Sequence, residues 1–301
     1  GFGFGFGFGF GAAFLFQGSG EMLRAFTRGL KDKSATVRRE YARAIGQLCA
    51  VSRPKDILRV VRSVVSLYTN AELERVGDED YKFKFPDNFA ESHVNHRLSA
   101  GEAVKYMATK ATENIRRYHK ELLPVAFAGV HDPVKEVKEA WETFWTECTP
   151  GNSNGLSLYL EEIISLCVAM SGSPSYLFRK MSLDTLQDVV KEQKTNPRLK
   201  PYIQRISEIV LTTLTNTNHW AHKEAVFSLA SALAVSCKDQ LAEGFPLRML
   251  EAVYDAISAP GRGGKTYRLA AMVCAGKCSE AFSSLDTFSL ARKSISPIIS
   301  G

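Results

Sequence analysis

Few residues in this 301-residue sequence have the types and spacing that chemistry needs. The nearest to a motif is Ala259-Pro260-Gly261-Arg262-Gly263-Gly264-Lys265-Thr266, a relaxed phosphate-loop pattern with Ala in the first position. A working loop needs a buried strand feeding it, so that backbone N–H groups and a following helix N-terminus converge on phosphate. Upstream, Leu250, Val253, Tyr254 and Ile257 are spaced as a helix, and no downstream hydrophobic strand ends in an acidic magnesium ligand. The segment therefore reads as an interhelical turn with Arg262 and Lys265 as surface charges, nucleotide binding through 259–266 being the alternative. His93 with His96 and His219 with His222 are each three apart, a spacing that can put two imidazoles on one helix face, but neither pair has a nearby Cys or third ligand. Cys274 and Cys278 stand at i, i+4 among Leu269, Met272 and Val273 and read as core thiols. No nucleophile-elbow pattern occurs. The expectation is a non-enzyme with no catalytic residue, no metal and no cofactor.

Charge is more informative. The chain carries 38 Lys and Arg against 32 Asp and Glu, a formal net charge of +6 that allows an acidic partner without calling for nucleic acid. Residues 21–69 alone hold eleven basic side chains against four acidic ones, more than the whole excess. Arg39, Arg43, Lys55, Arg59 and Arg62 are placed opposite apolar faces and are the candidate partner-binding stripe.

These side chains must be held by helices. With 45% hydrophobic and 23% charged residues the composition is that of a globular protein. The richest apolar run, Phe227 to Cys237, includes serines and is far short of the roughly 18 residues of a membrane span, so no integral span is expected. Six cysteines, mostly inside apolar helical patterns, suggest a reducing compartment. Residues 1–11 alternate Gly and Phe, and Leu15-Phe16-Gln17-Gly18 looks like the recognition core of a viral 3C-type protease. Residues 1–20 are therefore read as an appended or placeholder segment and linker outside the fold.

From Glu21 onward apolar residues recur at helical spacing. Val37, Tyr41, Ala44, Ile45 and Leu48 share one face behind the turn residues Asp32 and Ser34, and Pro54 opens a second helix carrying Ile57, Val61, Val64 and Tyr68. Second helices of successive pairs are expected near Ala35, Ser99, Pro133, Pro174, Asn218 and Gly264, at intervals of 64, 34, 41, 44 and 46 residues. Four of these match the period of about 40 to 47 residues in HEAT and armadillo arrays, and the long one holds an insertion at 70–98 without helical period. The fold class is all-α: a HEAT-repeat α-solenoid over 21–301, of about six helix pairs plus a final half-unit at 286–299, with negligible strand. The expected core includes Ile45, Leu48, Val61, Phe127, Trp141, Leu160, Ile164, Leu229 and Leu233.

Certain runs are more specific than a generic repeat. Leu122-Leu123-Pro124-Val125-Ala126-Phe127-Ala128-Gly129-Val130-His131, Trp145-Thr146-Glu147, Pro150-Gly151, Leu158-Tyr159-Leu160 and Glu162-Ile163-Ile164, with Lys33-Ser34-Ala35-Thr36-Val37-Arg38 and Trp220, resemble the C-terminal region of the proteasome adaptor and scaffold family, large HEAT-repeat companions of the 26S proteasome. The resemblance spans most of residues 21–290 but matches the insertion and the 259–266 loop poorly. It implies a cytoplasmic and nuclear non-enzymatic scaffold that binds core and regulatory particle subunits of the proteasome, monitors or joins them and restrains faulty assemblies. A HEAT-repeat transport or trafficking adaptor is the alternative. The resemblance transfers no contact residue.

Overall fold

Asp132 lies buried in a turn, and what it binds explains how helix pairs are joined. In the computed structural model, which describes residues 8–76, 80–85, 94–258, 264–286 and 289, the chain falls into two units, Gly1–Asn152 and Ser153–Gly301. The first holds three helix pairs: α1 (Phe8–Gly29) with α2 (Ala35–Cys49), α3 (Pro54–Thr69) with α4 (Val94–Lys110), and α5 (Thr112–Arg116) plus α6 (His119–Gly129) with α7 (Lys135–Cys148). First helices stack as one layer, α1 on α3 on α6, and second helices as another, α2 on α4 on α7. The second unit repeats the scheme with α8 (Asn152–Leu158) and α9 (Leu160–Ser171) against α10 (Tyr176–Glu192), α11 (Ile203–Thr215) against α12 (Ala225–Cys237), and α13 (Phe245–Ser258) against α14 (Lys265–Ala281). Six pairs are thus present among the described residues, as the periodicity requires. The fold is an all-α solenoid.

The turns follow one plan. A short polar side chain accepts the N–H two residues on: Asp32 from Ser34 at 2.8 Å, Asp132 from Val134 at 3.0 Å, Ser173 from Ser175 at 3.2 Å and Asn216 from Asn218 at 2.8 Å. Ser34 and Ser175 then cap α2 and α10, accepting from Val37 and Phe178. A basic side chain one helical turn further on folds back to the turn's carbonyls. Arg38 donates to the oxygens of Asp32 and Lys33 at 2.9 and 3.0 Å, Arg179 to that of Ser173, and Lys223 to those of Asn216 and Asn218.

In the first unit Arg38 and Arg97 reach the next turn. Arg38 donates to Asn95 Oδ1 at 3.2 Å, and Arg97 meets Asp132 at 2.9 Å with both side chains buried. The Tyr68 hydroxyl donates to the same carboxylate at 3.2 Å, which ties α3 to the turn before α7. Burial first, then Asp132, holds the Tyr68 phenol well above its usual value, so it remains a donor.

Trp141 is the centre of the first unit's core. It is fully buried, 4.8 Å from the Tyr68 ring, and a Cβ added to Gly129 would fall 2.6 Å from its Cγ. Glycine at 129 is therefore required by the indole. All the expected core residues are buried except Leu48, which is half-buried, and Val37 is exposed because α2 turns Arg38 inward instead.

Three expectations need correction. Helix α1 runs unbroken through the boundary placed at residue 20, Ser19 and Gly20 are buried, and a Cβ on Gly20 would approach Asp56 of α3 to 2.8 Å. The fold thus begins before residue 21, because small residues there let α1 lie close on α3; residues 1–7 lie outside the described residues. The insertion contains strand: β1 (Glu72–Val76) pairs antiparallel with β2 (Asp80–Lys84), Glu72 across from Lys84 and Glu74 across from Lys82. Opposite charge types at facing positions suit a two-stranded ribbon, and α4 starts at Val94, inside the expected insertion. Helix α12 starts at Ala225 and not near Asn218, because His222 takes a left-handed φ of 67°. The expected half-unit at 286–299 lies almost wholly outside the described residues.

Three outcomes are expected. Trp141→Ala should lower unfolding free energy by ~3 to 5 kcal/mol in urea titration. Asp132→Ala, which strands Arg97 in the interior, should cost about 3 to 5 kcal/mol, whereas Tyr68→Phe should cost only about 1. Glu121 of α6 is buried with Oε2 unbonded, and that burial raises its carboxyl pKa. A raised folded pKa favours the protonated form, so its contribution is lost as pH rises from the unfolded value through the folded one. Melting temperatures of the wild type and Glu121→Gln should therefore diverge as pH rises above the ordinary carboxylate range, the variant gaining at the higher pH.

Candidate functional site

The five basic residues do not form one stripe. Arg39 and Arg43 are exposed on α2, in the layer of second helices, whereas Lys55 and Arg59 are exposed on α3, in the layer of first helices. Arg39 pairs with Glu102 at 3.4 Å. Arg59 and Arg53 both hold the buried Asp56, at 2.9 and 3.2 Å. Arg62 is half-buried and lies within electrostatic reach of Glu121, which makes it part of the α3–α6 packing. A helical wheel places each residue opposite its own helix's apolar face; two helices in different layers then carry them apart.

A concave feature of the first unit carries the opposite charge. A groove of about 900 Å³ runs across α2, α4 and α7, lined by Arg39, Glu102, Lys105, Tyr106 and a run of α7 residues. That run supplies Glu136, Glu139, Glu142 and Glu147, so five carboxylates face two cations in a chain whose net charge is +6. Glu139 is partly met by Lys135 at 3.6 Å. The helix puts Val137, Ala140, Trp141 and Phe144 into the core and leaves its glutamates in water. The spacing of Glu136, Glu139 and Glu142 is the signal in the sequence that would have found this face. Flatness of charge outside 21–69 concealed it.

The chemical motifs gain no support from geometry. Residues 259–263 of the glycine-rich loop lie outside the described residues, but the element before it is helix α13, so the strand that phosphate-loop chemistry needs is replaced by a helix. His219 stacks edge-on against Tyr267 at 5.3 Å and His222 lies 3.6 Å from Glu224; His93 is outside the described residues. No group of three metal-ligating side chains occurs among the described residues. Burial pushes the Cys49 thiol up to about 12 and that of Cys237 up to about 11; burial and then Glu147 push Cys148 up to about 11. Cys167 is raised by burial, and Cys278 by its contact with Cys274, 3.7 Å away, and by burial. Such thiols are poor nucleophiles and pack as small apolar groups. No helix among the described residues is long and apolar enough to cross a membrane.

Comparison with known proteins agrees with this architecture. A family profile, the HEAT-repeat domain of the proteasome adapter and scaffold protein ECM29, matches residues 13–69. Human "Proteasome adapter and scaffold protein ECM29" is 23% identical over 268 residues, which is 85% of this chain and 13% of that protein. The fruit-fly "Proteasome-associated protein ECM29 homolog" is 25% identical over 56% of this chain and 8% of its own length. This chain therefore spans a small part of its relatives. A designed armadillo repeat protein overlays 85% of this chain and 99% of its own at 13% identity, with a TM-score of 0.39, too loose an overlap to carry an argument. The profile starts at residue 13, in keeping with a helix α1 that begins before residue 21. Along most of its length, then, this stack of helix pairs is similar to the ECM29 proteasome adapter and scaffold proteins.

Proposed function

We propose that this chain is a non-enzymatic scaffold segment that docks on the 26S proteasome. The observation that carries the reading is the similarity to proteasome adapters over 85% of the chain. A stack of helix pairs suits the role physically, because it offers a long, preformed surface whose binding does not have to order a flexible chain. In the finer form of the reading, the segment contacts core and regulatory particle subunits, helps to monitor their joining and restrains faulty assemblies. It works in cytoplasm and nucleus, where its six free cysteines would stay reduced.

The groove across α2, α4 and α7 is the contact face in this reading, and its carboxylates favour a basic segment of the partner. The basic residues act as two separate patches. Arg39 lines the groove and Arg43 is exposed on the same helix, while Lys55 and Arg59 offer the layer of first helices to an acidic surface. The groove also gives the trafficking-adaptor alternative a specific basis, since basic cargo would fit the same carboxylates.

Retention of purified 26S proteasome on the immobilised chain tests the reading. Reversing Glu136, Glu139 and Glu142 to Lys together should weaken retention by about tenfold or more, and added salt should weaken the wild type as the Debye length falls below about 8 Å. Arg43→Glu with Lys55→Glu should slow association a few-fold, about the size of a steering effect, and leave the melting temperature nearly unchanged. Failure of the wild-type chain to retain proteasome at low salt would sink the docking role; retention indifferent to the triple reversal would move the contact elsewhere.

A further inference from the structure

In the second unit the same turn plan produces a cation that no acid meets. Arg179, on the first turn of α10, is fixed at its Nε by the carbonyl of Ser173. Its guanidinium carbon stands 5.6 Å from the Tyr176 ring centre and 5.8 Å from that of Trp220, within cation–π range of both. The two rings are themselves stacked, 6.2 Å apart at 12°. Among the described residues no carboxylate lies within ion-pair reach of Arg179. Its two terminal nitrogens make no hydrogen bond among the described residues, and Arg179 lines a cavity of about 210 Å³ with Ser171, Gly172, Thr212, Thr213, Asn216 and Trp220.

None of the side chains that line that cavity is acidic. Asn216 Oδ1 accepts the Asn218 N–H at 2.8 Å, which fixes the amide orientation and leaves its NH₂ to donate. The hydroxyls of Thr212 and Thr213 have no hydrogen-bond partner among the described residues. Beneath the turn, the buried Lys223 ammonium donates to the Asn216 and Asn218 carbonyls and adds a second positive charge. Tyr176, stacked on the lining residue Trp220, is 52% exposed.

We propose that this cavity is a phosphate-binding site that takes the phosphoryl group of a phosphorylated serine or threonine on a partner segment. A preoriented guanidinium presents parallel N–H bonds to two oxygens of an anion, and such charge-assisted pairs are the strong ones. Two hydroxyls and one amide exceed what a carboxylate's two oxygens use and match the third oxygen of a phosphate dianion. The exposed Tyr176 and the Trp220 face give the flanking peptide an aromatic shelf. The inference rests on no part of the proteasome reading.

The test follows the Trp220 indole N–H resonance of the ¹⁵N-labelled chain. The probes are a capped Ala-Ala-phosphoserine-Ala-Ala peptide, the same peptide with Ser or Glu at the centre, and inorganic phosphate. The phosphopeptide should give a saturable shift and bind about tenfold or more tighter than the Glu peptide, the usual margin of doubly charged over singly charged recognition. Asn216→Asp keeps the acceptor for the Asn218 N–H and stays beside Lys223, so it should fold with an unchanged ¹⁵N spectrum away from the cavity while losing about tenfold or more in affinity through repulsion. Arg179→Lys, which keeps charge but loses the two-pronged donor, should also weaken binding. No shift at ~10 mM phosphopeptide, weaker than a millimolar complex, would overturn the site. Equal binding of phospho and Glu peptides, or an unaffected Asn216→Asp variant, would do the same. Inorganic phosphate binding as tightly as the phosphopeptide would overturn the peptide assignment.

Discussion

A helix pair of this kind has to close a tight turn beside its neighbour, and the carbonyls of that turn fall outside the hydrogen-bond ladder of either helix. Where such a turn is buried, as at Asp132 and Ser173, an unsatisfied carbonyl would cost as much as a lost buried hydrogen bond. The solution recurs: a short polar side chain closes the turn, and a basic side chain from the following helix reaches back to its carbonyls. Arg38, Arg179 and Lys223 all do this, at five to seven residues from the carbonyls they bind. The arrangement makes stacking directional, since in the first unit the cation has donors left over for the next turn, Asn95 for Arg38 and Asp132 for Arg97. A buried ion pair contributes little net stability, but it penalises any register that leaves one partner alone. Register between neighbouring pairs is what a solenoid needs.

The helix count, the pairing and most of the core were legible in the sequence because α-helical period is a local signal, and Asp32 with Val37-Arg38 already displays the turn and its cation. What periodicity could not supply was which side chain turns inward. Val37 has the right chemistry for the core and stays exposed, and Arg38 has the wrong chemistry and is buried, because the deciding partners, Asn95 and the Asp32 and Lys33 carbonyls, are set by the fold. The start of the fold was hidden for another reason. Low-complexity composition before residue 20 masks a packing role that comes from small size: Gly20 is needed where α1 passes within a methyl group's reach of Asp56. The strands Glu72–Val76 and Asp80–Lys84 set Glu across from Lys only through their register, so a scan for apolar alternation passes over them.

The partner surface was the least legible part. Counting charge along the chain found the basic excess in residues 21–69 but could not know that α2 and α3 belong to different layers, which sends Arg39 and Arg43 one way and Lys55 and Arg59 the other. The acidic groove is the converse case. Its glutamates are spread over α4 and α7, which are interleaved in sequence with basic residues such as Lys135 and Lys138. Only the layering of second helices gathers Glu102 with Glu136, Glu139 and Glu142. In a solenoid, charge accumulates by layer and not by sequence neighbourhood.

The turn plan also explains why one of its cations is left available for a ligand. Arg97 is neutralised because the next turn offers Asp132, and Arg38 is satisfied by the Asn95 amide oxygen. For Arg179 the corresponding turn is the one from Asn216 to Trp220, whose nearest offering is the face of an indole. An aromatic face stabilises a cation without consuming its N–H donors, so the guanidinium is held in place and its terminal nitrogens stay free to bind. Replacing a carboxylate by a tryptophan at one step of a ladder converts a structural contact into a recognition site. The cost to the stack is small because Ser173 already anchors the arginine. The same geometry that fixes register in the first unit thus leaves, in the second, a positively charged cavity walled by hydroxyls and aromatic rings.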